Sequence, residues 1–137
     1  MKKYLGIITI IFLQACTSVE ATFLEGAWQS SKELTVANFT DNSKLSEKRK
    51  DFLLNNLGEL TIVFKANKTT IYFETSEEPE WGTFKVISQN DKEFTLSVTN
   101  RLLKDKEFTY YWAGKCFYLK QSDYGYDEYF CKIPSAI

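Results

Sequence analysis

The sequence predicts a mostly β protein, an antiparallel up-and-down meander of about eight strands closing into a barrel, with one helix between strands 1 and 2. Three observations carry this. After Gly58 the chain breaks into short β-branched and aromatic runs: ELTIVFK, KTTIYFE, WGTFKVIS, EFTLSVT, EFTYYWA, KCFYLKQ and DEYFCKI. The joints between them, such as Ala66-Asn67, Asn90-Asp91 and Ala113-Gly114, are too short for parallel crossovers, so neighbouring runs must be antiparallel. A meander this long removes its exposed edges by closing on itself.

The elements follow in order. EGAWQSSKELTVANF, residues 25–39, reads as a first extended segment bounded by Gly26. KLSEKRKDFLLNNL places apolar residues at 45, 52, 53 and 57, a helical spacing, with Ser43 or Asp41 as the cap and Gly58 as the stop. The seven later runs complete the sheet. Two prolines and six glycines leave no linker for a second domain, and no internal repeat is present.

Residues 1–15 carry a different message. Met1-Lys2-Lys3 is a cationic head, residues 4–13 are dominated by Leu, Ile and Phe, and Ala15 is a small residue at the cut, which is the order of a secretory signal. A membrane-spanning helix needs about 20 apolar residues, and Gln14, Thr17, Ser18 and Glu20 interrupt the run earlier. The expected organisation is therefore a signal peptide at 1–15, a tether at 16–22 and a barrel domain at 23–137. Leu13-Gln14-Ala15-Cys16 resembles the lipobox of bacterial lipoproteins, and this resemblance implies acylation of Cys16. Two or more acyl chains hold a protein stably at a bilayer, each buried methylene contributing about 0.8 kcal/mol. Thr17 and Ser18 follow the cysteine where an aspartate would favour inner-membrane retention, so the resemblance implies an outer-membrane anchor facing the periplasm. An ordinary secreted protein is the alternative.

In an exported domain, Cys116 and Cys131 read as a disulfide, against two buried free thiols. A turn centred on Asp123 and Tyr124 sets Cys116 opposite Cys131, and it brings Phe117, Tyr118 and Lys120 opposite Phe130, Tyr129 and Asp127, all favourable cross-strand pairs.

Composition excludes several functions. The chain contains no histidine, which removes Ser-His, Cys-His and His-based metal sites, and its glycines form no phosphate-binding loop. The formal net charge is −1 before two lysines depart with the signal, which argues against a nucleic-acid partner. The one basic cluster, Glu47-Lys48-Arg49-Lys50-Asp51, is bracketed by carboxylates and reads as a solvated helix face. Glu74, Glu77, Glu78 and Glu80 form an acidic cluster whose proline marks a solvated turn, so neither a metal site nor a cofactor is expected, and no catalytic residue is assigned. The protein reads as a non-enzyme.

Gly26-Ala27-Trp28 before the first strand resembles the G-x-W motif of lipocalins, and the chain as a whole is similar to small bacterial lipocalin-like lipoproteins of unassigned function. The resemblance implies that Trp28 plugs one barrel end beneath a basic side chain from the last strand, here Lys132. Aromatic residues make up 16% of the chain and crowd the last three strands, where alternation puts Phe108, Tyr110 and Trp112 on one face and Thr109 and Tyr111 on the other. They either fill the interior or line a cavity, and a chain of this size favours filling. Two functions remain. One is an envelope-anchored binder of a small apolar or amphipathic ligand. The other is an interaction protein, an inhibitor or assembly accessory of an exported enzyme or complex, whose candidate binding rim is Tyr124, Tyr126 and Tyr129 on the C-terminal hairpin.

Overall fold

The computed structural model describes residues 21–39, 45–73, 78–121 and 125–134. Eight strands form a closed barrel in sequence order, every neighbouring pair antiparallel. They are β1 (Gly26–Ser30), β2 (Leu60–Lys65), β3 (Lys68–Phe73), β4 (Gly82–Gln89), β5 (Glu93–Thr99), β6 (Lys106–Ala113), β7 (Cys116–Gln121) and β8 (Tyr126–Ile133). A 3-10 helix, Thr22–Leu24, precedes β1, and two helices, α1 (Lys32–Ala37) and α2 (Glu47–Asn56), lie between β1 and β2. Among the described residues no helix is long and apolar enough to cross a membrane.

The first extended segment ends sooner than its β-branched residues suggest. Ser31 caps a helix instead, its hydroxyl accepting from the Leu34 amide, with Glu33 in the first turn. The physical reason is the barrel seam. Where β1 leaves β8 after Ser30↔Phe130, the Tyr129 carbonyl accepts from the Ser31 amide at 2.7 Å and the Tyr129 amide donates to Thr35 Oγ1 at 3.1 Å. One helical turn therefore satisfies backbone groups that a longer β1 would have paired.

The helix expected at 45–57 is α2, and its cap is Ser46, whose hydroxyl accepts from the Arg49 amide, rather than Ser43 or Asp41, which lie outside the described residues. No residue within α2 is buried and Phe52 points to solvent; the flanking Leu45 and Leu57 are buried instead. Gly58 follows with φ +96°, the conformation that ends the helix at little steric cost.

The C-terminal hairpin has the predicted register, with Cys116↔Cys131, Phe117↔Phe130, Tyr118↔Tyr129 and Lys120↔Asp127. Cys116 and Cys131 are disulfide-bonded. Phe117 and Phe130 stack inside the barrel, whereas Tyr118 stacks on both Tyr111 and Tyr129 on the opposite face of the sheet.

Inside, the closed end is an aromatic cluster. Trp28 packs on Phe117 with ring centroids 4.7 Å apart, and Phe94 contacts Tyr110, Trp112 and Phe117 at 5.0–5.3 Å. From below, Phe23 closes on Phe94 and Trp112, and Leu24 is fully buried. Ala21 packs against the same cluster, so the last residues of the expected tether, Ala21 and Thr22, already belong to the barrel floor. The residues before them, including Cys16, lie outside the described part of the chain.

Candidate functional site: a cavity at the barrel mouth

Cross-strand register determines which side chains face inward. Trp28 opposes Ile62 and Lys132, and following the pairs around the barrel puts Leu60, Ile62, Phe64, Leu96, Val98, Phe108, Tyr110, Leu119, Glu128 and Phe130 on the same inner face. The face that sequence alone left open is thus the one carrying Phe108, Tyr110 and Trp112.

The interior is filled at only one end. Where the sequence favoured a packed core throughout, the half away from Trp28 holds a cavity of about 360 Å³. The reason lies in residue size along each strand. Towards the closed end the inner positions are Trp28, Phe94, Trp112 and Phe117; towards the mouth they are Leu60, Thr69, Val98 and Leu119, which cannot meet across an eight-stranded barrel.

The mouth is widened at the β3–β4 seam, where pairing is confined to Lys68↔Thr83 and Thr69↔Gly82. Beyond it, Thr70 Oγ1 donates to the Glu80 carbonyl at 2.7 Å, which ties the incoming chain to β3 through a side chain instead of a ladder. Gly82 is required here for close approach: a Cβ would stand 2.6 Å from the Thr99 carbonyl oxygen. Past the pairing, Ile71 is 57% exposed although it belongs to the inner face and lines the cavity, and Leu102 at the opposite lip is 82% exposed. Opposite Ile71, the connection between β5 and β6 is shaped by Asn100, whose Oδ1 accepts from the Leu102 and Leu103 amides. Arg101 Nε reaches Glu80 Oε1 at 3.6 Å, an exposed ion pair spanning the two lips.

One carboxylate stands inside. Glu128 is 9% exposed, lines the cavity and accepts a hydrogen bond from Ser30 Oγ at 3.1 Å. Tyr110 shares the cavity wall, and its phenol is held well above the ordinary tyrosine range, first by burial and second by the charge of Glu128.

The residues singled out from sequence fall in separate places. Trp28 and Lys132 meet at the closed end, where Lys132 Nζ lies 5.7 Å from the Trp28 ring centroid and Trp28 Nε1 donates to the Leu24 carbonyl at 2.8 Å. Cys116 and Cys131 staple β7 to β8. Of the candidate rim, Tyr124 lies outside the described residues, Tyr126 is 8% exposed and packs on Phe39, and Tyr129 is 9% exposed beneath α1. Tyr126 and Tyr129 project from opposite faces of β8, so they do not form one surface. Glu128, between them, was seen in the sequence only as part of a tyrosine-rich rim; its alternation with the inward Phe130 was the signal that it points into the barrel. Among the described residues no cluster of three or more potential metal ligands occurs. The chain matches no protein-family model, no curated protein and no solved structure.

Proposed function

We propose that this protein is an envelope-anchored lipoprotein whose barrel holds a small apolar or amphipathic molecule in the mouth-side cavity. The observation that carries the reading is the cavity itself: about 360 Å³, lined mainly by Leu, Ile, Val and Phe with a few polar groups, which is the composition and size of a small-molecule site. The closed end supports the same reading, because the stability of the barrel is concentrated in its aromatic floor and its mouth can stay hollow.

The anchor gives the site a direction. Acyl chains on Cys16 are separated from Ala21, on the barrel floor, by residues 17–20, which reach at most about 3.6 Å each. The floor therefore faces the membrane that holds the acyl chains, and ligand enters through the mouth from the aqueous side.

Native mass spectrometry of the protein extracted from membranes tests both parts. The expected result is a polypeptide beginning at an acylated Cys16 and carrying a separable small molecule. A polypeptide that keeps residues 1–15 rejects the anchor, and a chain that takes up neither a cellular molecule nor any added apolar probe rejects the site.

A further inference from the structure

The interior of the cavity is acidic. Among the described residues that line it, the charged ones are Glu80 at the lip and Glu128 in the wall, and neither lysine nor arginine is present. Arg101, the nearest cation at the lip, is engaged with Glu80. Glu128 is fixed by the fold rather than free to swing out, since its backbone pairs with Leu119 of β7 and its Oε1 accepts from Ser30 at the end of β1. A carboxylate in an apolar, poorly solvated wall favours any ligand group that brings a positive charge or donates a hydrogen bond, and it repels an anion at the same place.

We infer that the cavity takes amphipathic amines: an apolar body against Leu60, Ile62, Leu96 and Leu119, with the ammonium group turned inward to Glu128. This rests on the binding function proposed above and narrows it. It sets the site apart from one that accepts fatty acids, whose carboxylate would meet Glu128 without a counter-ion inside the barrel. An anionic head could be carried only at the lip, with the tail inward and the head near Arg101 or the exposed Lys106.

Three probes of equal chain length separate these outcomes: octylamine, 1-octanol and octanoate, each titrated into the isotopically labelled full chain and followed by the amide shifts of Leu96, Leu119 and Glu128. Octylamine is expected to bind at least about tenfold more tightly than octanoate, with 1-octanol between them. Glu128→Gln, which keeps the shape and the acceptor for Ser30, should bring the three affinities within about threefold of one another. A weaker preference in the wild type, or a preference for octanoate, overturns the inference while leaving the cavity a binding site. A preference that survives Glu128→Gln overturns the role of Glu128. If no probe moves these amides, the binding function itself fails. Should Glu128→Gln not fold, Glu128→Leu replaces the charge with an apolar group of similar size, and the wild-type comparison decides the inference alone.

Discussion

Ser30 Oγ, at the end of β1, donates to Glu128 Oε1 in β8 at 3.1 Å, and the same hydroxyl accepts from the Gly58 amide at 3.4 Å. One buried serine thus joins the last strand, the first strand and the start of the second where the barrel closes. Ser30→Ala leaves two buried groups short of a partner and is expected to cost about 1–3 kcal/mol, read as a lower denaturant midpoint at unchanged slope. An unchanged midpoint would show that Glu128 does not depend on Ser30.

Trp28 organises the opposite end. Trp28→Ala should destabilise the barrel by about 3–5 kcal/mol, since a large buried ring leaves a void among Phe117, Trp112 and Lys132. Trp28→Phe keeps most of the packing but deprives the Leu24 carbonyl of its donor, so a smaller loss of about 1 kcal/mol is expected. Equal losses in the two variants would mean that the hydrogen bond, not the ring, holds the floor.

The disulfide closes a separation of 15 residues, for which loop-closure entropy gives about 3 kcal/mol. Replacing Cys116 and Cys131 together by serine should lower stability by about that amount, and reductant should do the same to the wild type while leaving the double variant unaffected. Reductant sensitivity that persists in the double variant would assign the effect to another group.

Alkaline pH should unfold the protein through its buried phenols. Tyr110 is held above its ordinary value of 10.0 by burial and then by Glu128. Tyr129 is raised by burial and then by Asp127 and Tyr118. The folded state therefore keeps protons that the unfolded state releases, so this contribution to stability is intact below about pH 10 and is lost as pH rises further. Phenolate absorbance followed together with circular dichroism should show fewer than all eight tyrosines ionising before the far-ultraviolet signal collapses. Complete ionisation of the native protein would contradict their burial.

Much of the fold was legible in residue order. Short joints between β-branched runs dictated antiparallel neighbours, and the pairing of Cys116 with Cys131 fixed the C-terminal register that the structure has. What stayed hidden depended on partners distant in sequence. Thr35 and Val36 read as strand residues because nothing local reveals that Thr35 Oγ1 must serve the amide of Tyr129. The aromatic count suggested a filled interior because composition does not record position: the large rings gather at the Trp28 end and leave the mouth to Leu, Val and Thr. Glu128 was hidden for a related reason, since neighbouring tyrosines made a solvent-facing rim the simpler reading until register turned Tyr126 and Glu128 inward and Tyr129 outward.

Filling the cavity from within would show most directly whether it is a binding site. Leu119→Trp places an indole in the space between Leu119, Glu128 and Tyr110, and octylamine can then be titrated into the wild type and the variant while amide shifts of Leu96 and Glu128 are followed. Saturable shifts in the wild type that weaken by at least about tenfold in a still-folded Leu119→Trp protein are the expected result. Binding that is equally strong in both would place the ligand outside the barrel and contradict a hollow mouth as the seat of function.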